Sequence, residues 1–138
     1  MLTDHEMSLI KTSWAKIRNI DPVAAGDAFY TKLFFDRPEL KKMFPQEMDA
    51  QSKKLMDMIN TIVTHLDRLD ELTAEIVAMA KRHEGYGVLP EHYEPVGDAL
   101  LWTLKAGLGN EWNEELKNAW VKCYGMLSNA MIGVTAEE

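Results

Sequence analysis

The sequence predicts an all-α domain of about six or seven helices, and three observations carry the prediction. Apolar residues recur at spacings of three and four from Met7 to Val134, the period of a helix with one buried face. No stretch alternates apolar and polar residues as a strand requires. Start and stop signals punctuate the chain, from Thr3, Asp21-Pro22 and Asn113 to Pro45, Pro90 and Gly109. There is no internal repeat, low-complexity segment or linker, so residues 1–138 read as a single domain.

The elements follow in order. Thr3 and Glu6 form a capping box, and Met7, Ile10, Trp14 and Ile17 mark one face of a first helix that ends near Asn19. Asp21 as cap and Pro22 at the first helical position open a second helix, whose apolar side carries Val23, Phe29, Tyr30, Leu33 and Phe34. Pro38 starts a short turn that delivers Leu40 and Phe44, and Pro45 breaks the chain before the polar stretch 46–50. A long helix then places Gln51, Leu55, Ile59 and Ile62 on one face while Lys53, Lys54 and Asp57 point elsewhere.

After Asp67 to Asp70, Leu72, Ile76 and Met79 form a stripe on which His83 is the next step. Gly85, Tyr86, Gly87 and Pro90 end that helix. His92-Tyr93-Glu94-Pro95 opens a helix carrying Val96, Leu100, Leu101, Leu104 and Leu108, and Gly109 can close it. Asn113 caps a last helix with the stripe Leu116, Trp120, Cys123, Leu127, Met131 and Val134.

At 138 residues, folding would bury roughly 70% of the surface exposed by the unfolded chain, enough for a real core. No apolar run approaches the roughly 18 residues needed to span a bilayer. Residues 1–6 carry neither the basic flank nor the apolar block of a signal peptide, which predicts a cytoplasmic protein. Cys123 is the only cysteine, so no internal disulfide can form, and its place on an apolar stripe suggests a packed thiol. A net charge of −7 argues against nucleic acid and anionic membranes as partners.

Candidate chemistry centres on His83. A histidine on an apolar stripe is either a core residue satisfied by a backbone carbonyl or a metal ligand held at a helix end. Tyr30 is open in the same way, as a core tyrosine bonded to a carbonyl or as a donor to a ligand. Gln51, at the head of an apolar stripe, is either an exposed first turn or an amide donor to something above it. Gly85-Tyr86-Gly87 follows a helix instead of a strand, with Pro90 at the third glycine position, so it does not read as a phosphate loop. His5, His65 and His92 read as isolated and exposed, and no catalytic triad spacing is present.

The segments FYTKLFFDRPELKKMF, AQSKKLM, KRHEGYGV, HYEPVGDALL and AWVKCYG, in this order and spacing, closely resemble the bacterial single-domain globins and the globin domain of flavohaemoglobins. The most diagnostic parts are the spacing of Phe44 ahead of His83, the pair Tyr30 and Gln51, and the step His92-Tyr93. The resemblance implies a globin fold around a pocket for haem b, iron protoporphyrin IX, with His83 as proximal iron ligand. It further implies Phe44 packed on the porphyrin and apolar walls from Leu55, Ile59, Met79, Val88, Val96, Leu100 and Leu127. Lys54 and Arg82 lie where the family often places cations that pair with haem propionates, although two solvated cations need no such explanation.

Tyr30 and Gln51 would then donate to bound dioxygen, which carries partial negative charge. Such hydrogen bonds are worth about 1.5 to 3 kcal/mol each. In the flavohaemoglobin pattern the proximal histidine is backed by a tyrosine, matched by Tyr93, and by a glutamate eleven residues beyond the tyrosine matched by Tyr124. Here that position is Thr135, and Glu137 and Glu138 come too late. The resemblance therefore does not extend to the carboxylate whose electron push favours peroxidase-like chemistry, which tilts the expectation toward reversible dioxygen binding.

The expected function is a haem globin that binds dioxygen and CO and converts nitric oxide to nitrate with an electron from a separate reductase. Nothing in the chain reads as a flavin or nicotinamide site. Alternatives are oxygen storage or sensing alone, or a haem-free globin-fold interaction module.

Overall fold

The computed structural model describes residues 2–136, with side chains to Val134. Among these residues six α-helices follow one another: α1 Asp4–Ile17, α2 Pro22–Asp36, α3 Asp49–Thr64, α4 Thr73–Gly85, α5 Tyr93–Leu108 and α6 Glu114–Ala136. Short 3₁₀ turns at Pro38–Met43, Leu66–Leu72, Pro90–His92 and Gly109–Glu111 join several of them, and no strand occurs among the described residues. No helix among these residues is long and apolar enough to cross a membrane.

The caps explain most boundaries. The Thr3 hydroxyl accepts from the Glu6 N–H at 3.1 Å, and the Glu6 carboxylate accepts from the Thr3 N–H at 2.9 Å, a reciprocal pair that satisfies two otherwise orphaned donors. Asp21 accepts from the Val23 N–H at 3.0 Å ahead of Pro22, and Asn113 accepts from the Leu116 N–H at 2.9 Å. Gly109 adopts φ +57 at the end of α5 and Gly87 φ +89 beyond α4, a region that costs glycine nothing. α1 stops at Ile17, two residues short of the expected Asn19, where the Arg18 N–H bonds to the Trp14 carbonyl. Leu72 closes the Leu66–Leu72 turn instead of opening α4, yet it is buried as its stripe requires.

Helix α2 packs on α3 and α5, α4 packs on α6, and α1 lies against α3, α5 and α6. Ile10, Trp14, Ile17, Leu104 and Trp120 lead the main core. The two indoles stand 6.2 Å apart between ring centres, and each N–H has a partner: Trp14 donates to Asn60 Oδ1 and Trp120 to Ser13 Oγ, both at 3.0 Å. A second cluster, Phe29, Tyr30, Leu33, Leu40 and Ala99, sits between α2 and α5, and a third, Met79, Ala80 and Met131, between α4 and α6. Between these smaller clusters the packing opens into a cleft.

Candidate functional site

The cleft holds about 1000 Å³ of atom-free space, its mouth included, and its walls come from every helix except α1. Phe29, Leu33, Leu55, Met79, Val96 and Leu127 make it largely apolar. A smaller apolar cavity adjoins it, sharing Phe29, Leu55, Met58, Val96, Tyr124 and Leu127 and extending to Cys123 and Trp120. Burial pushes the Cys123 thiol up to about 11, as expected for a packed cysteine and not for a nucleophile.

His83 enters the cleft from the last turn of α4 and is half-buried. Its Nδ1 lies 2.8 Å from the Met79 carbonyl four residues back. A carbonyl can only accept, so Nδ1 carries the proton and Nε2 keeps its lone pair. One nitrogen is thus satisfied by the backbone, and the other keeps a lone pair.

Tyr30, from α2, and Gln51, from the first turn of α3, line the same cleft. The Gln51 amide donates to the Tyr30 oxygen at 3.3 Å, which leaves the phenol proton free to donate onward. Burial raises the Tyr30 phenol, outweighing the opposite pull of the Gln51 amide, so at neutral pH it stays a protonated donor. The ring is held by Phe29 edge-on at 4.9 Å, by Phe44 at 5.3 Å and by Phe34 at 5.9 Å. Phe44 itself lines the cleft just beyond the Pro38–Met43 turn.

Tyr93 lines the cleft where α5 begins. Its carbonyl accepts from the Tyr124 hydroxyl at 2.7 Å, and Gly97 makes that approach possible, because a Cβ there would stand 2.8 Å from the Tyr124 ring. Burial raises both phenols, Tyr124 the more strongly.

Of the expected wall, Leu55, Met79, Val88, Val96 and Leu127 line the cleft, whereas Ile59 and Leu100 line the adjoining cavity. Lys54 and Arg82 are exposed and line neither. Thr135 belongs to α6, but its side chain lies outside the described residues, as do Glu137 and Glu138. Two histidines depart from the expectation of isolated, exposed side chains. His65 is half-buried with Nδ1 2.8 Å from the Thr61 carbonyl. His92 is half-buried, lines the cleft and accepts from the Leu89 N–H at 3.0 Å. Both rings bond to backbone three or four residues earlier, and such contacts leave no mark in an apolar pattern. His5 is exposed as expected, 3.3 Å from Glu115. Met43, Tyr86, Tyr124 and Ser128 also line the cleft without having been singled out.

Among the described residues no three histidine, cysteine or carboxylate side chains gather to hold a metal ion. A metal bound at His83 would need its remaining ligands from a cofactor that brings them, and a large apolar cleft with one available imidazole nitrogen fits a metalloporphyrin.

Comparison with known proteins agrees. The chain is 31% identical over 135 residues to a flavohemoprotein of Vibrio cholerae, covering 96% of this chain and 34% of that protein, so it spans about a third of such relatives. A bacterial globin of Campylobacter jejuni superposes with a TM-score of 0.83 at 25% identity, covering 98% of this chain and 97% of that one. An engineered carbene transferase, described as a candidate nitric oxide dioxygenase of Rhodothermus marinus, gives 0.88 at 26% identity, covering 99% and 95%. With residues 27–131 matching the globin family model, the chain belongs to the globin family.

Proposed function

We propose that residues 1–138 form a haem domain that binds dioxygen and, supplied with electrons by a reductase outside these residues, converts nitric oxide to nitrate. The observation that carries this reading is that the Nε2 lone pair of His83 and the Tyr30–Gln51 pair line one apolar cleft from different helices. Iron protoporphyrin IX, when bound, supplies the centre at which a diatomic gas is held. His83, its ring oriented by the Met79 carbonyl, would hold the iron through Nε2. Phe44 and the apolar wall would take the macrocycle and keep out the water that promotes oxidation. Tyr30, backed by the Gln51 amide, would offer a proton donor to a gas that carries partial negative charge, which would favour dioxygen over CO.

The absence of a glutamate at Thr135 supports holding dioxygen reversibly over activating it as a peroxidase does. The flavohemoprotein relatives and the Rhodothermus marinus structure support the nitric oxide reaction.

An absorption spectrum of the purified chain, before and after haem supplementation, tests the reading. An intense Soret band is expected, lost in His83→Ala and partly restored by added imidazole. A chain that shows no Soret band even after supplementation would instead be a haem-free interaction module, and a normal five-coordinate ferrous spectrum in His83→Ala would remove His83 as ligand.

A further inference from the structure

Among the described residues the three most exposed large apolar side chains are Phe35 at 80%, Tyr86 at 67% and Leu89 at 51%. They come from two segments that meet beside the cleft. Phe35 stands on the last turn of α2, just ahead of the Pro38–Met43 turn, and Tyr86 and Leu89 lie between α4 and the Pro90–His92 turn. The Met43 methyl is 4.0 Å from where a Cβ on Gly87 would stand. At the start of the same turn Arg37, paired first with Glu39, also lies within reach of the Glu91 charge. Exposed apolar side chains scattered singly need no explanation, whereas a group of them on one edge marks a contact with another molecule.

The charges beside them say which kind of molecule. Asp36 is held by Lys32 at 3.1 Å, and Glu39 is paired with Arg37. Lys41 and Lys42 are left over, both exposed and outside any ion pair among the described residues. On a chain of net charge −7 this edge is therefore locally cationic, and it attracts an acidic surface that the rest of the chain repels. A two-fold contact with a second copy would instead set the same lysines against each other.

The turnover proposed above needs an electron from outside these residues. Electron transfer weakens steeply with distance, so a donor has to seat where the cleft reaches the surface. We propose that Phe35, Tyr86 and Leu89, with Lys41 and Lys42 beside them, form the docking surface for that donor, a flavoprotein whose flavin edge is ringed by carboxylates. This rests on the haem reading and its outside electron source. The flavin is oxidised by one electron and ferric iron is reduced by one, with no bond made or broken. The lysines speed the encounter and the apolar side chains hold it. Electron-transfer contacts of this kind are small, below about 1,200 Å² in all, a size that suits three side chains and a charged rim.

The test uses the 138-residue chain loaded with haem, and flavodoxin as an acidic flavoprotein probe. Calorimetry follows binding of oxidised flavodoxin, in which no electron moves, and stopped flow follows reduction of the ferric protein by reduced flavodoxin or by free reduced FMN. Lys41→Glu with Lys42→Glu is expected to slow reduction by flavodoxin about tenfold at low salt, an effect that shrinks as salt screens the charges. Phe35→Ser is expected to weaken binding about fivefold at any salt, because buried ring area is lost. Lys105→Glu with Lys117→Glu, the same charge change on α5 and α6, should alter neither readout, and free FMN should reduce all four proteins alike. Equal slowing in that control would make the effect one of net charge, and equal slowing with free FMN would place it inside the cleft; either overturns the proposal. So does a wild type that flavodoxin neither binds nor reduces, or one that sediments as a dimer broken by Phe35→Ser, which would make this edge a contact between copies. If wild type takes up no haem, the haem reading itself fails, a result distinct from indifferent variants in a chain that loads normally.

Discussion

Gly26 of α2 lies directly on Ser52 of α3: a Cβ built on the glycine would stand 2.3 Å from the serine Cβ, a distance that no real pair of side chains adopts. The missing side chain sets how closely the two helices cross. Tyr30 is one turn beyond Gly26, and Gln51 immediately precedes Ser52, so the same crossing brings the phenol and the amide to 3.3 Å. Gly26→Ala is therefore expected to push the helices apart, at a cost of about 1 to 3 kcal/mol. Denaturant unfolding should show that loss with an unchanged slope. The dioxygen off-rate of the loaded protein should rise with it, although neither polar residue has been altered.

Tyr30→Phe removes the donor while keeping the ring that packs against Phe29, Phe34 and Phe44. The dioxygen off-rate is expected to rise about tenfold or more, the equivalent of one hydrogen bond to a partly charged ligand. The CO off-rate should move much less, because bound CO carries little charge. Gln51→Leu should act in the same direction. Since Gln51 donates to the Tyr30 oxygen, the double variant should fall short of the sum of the single effects. Equal shifts for both gases, measured by stopped-flow displacement, would make the role of Tyr30 steric.

How much of this was legible in the sequence divides by the range of the interaction. The start of each capped helix was open to reading because its signal is local: Thr3 with Glu6, Asp21 with Pro22, and Asn113 each bond within three residues. The stripes located the core faces, and His83 stood out as the odd member of one of them. The resemblance, not the periodicity, pointed to Tyr30, Gln51 and Phe44 as neighbours, and the cleft brings all three together. Ile59 and Leu100 belong to the right faces yet reach the adjoining cavity, because a stripe gives a direction without a depth. The place of Tyr124 depends on Gly97, in another helix, and no pattern within α6 reports that. His92 reads as exposed in the sequence but is half-buried, because its ring turns back on the Leu89 amide, a detail of backbone geometry.

The capping box of α1 has a consequence for acid stability. The Glu6 carboxylate accepts first from the Thr3 N–H and then from Lys122 Nζ at 3.0 Å, which ties α1 to α6. These bonds lower its pKa from 4.5 to about 2. A folded pKa below the unfolded one stabilises the native state fully above the unfolded value, and the contribution is lost as pH falls through the folded value. The Tm of the wild type should therefore fall between about pH 4.5 and 2 more steeply than that of Glu6→Gln. Parallel curves for the two proteins in that window would show that the capping carboxylate carries no acid dependence.

The last prediction concerns turnover. Converting nitric oxide and dioxygen to nitrate leaves the haem oxidised by one electron, so each further cycle needs an electron from outside the cleft. In a flavin- and nicotinamide-dependent reductase that electron arrives through a strand-rich, glycine-rich dinucleotide site. The described residues contain no strand, and Gly85 ends α4 with Gly87 just beyond it, ahead of Pro90, an arrangement unsuited to cradling a pyrophosphate. Residues 1–138, loaded with haem, reduced and oxygenated, should consume nitric oxide in one fast turnover, giving about one nitrate per haem. Adding NADH should extend that amount only when a separate flavin reductase is supplied. Nitrate measured against haem content checks the stoichiometry, and steady consumption with NADH and the purified 138 residues alone would mean that electrons enter this domain by a route of its own.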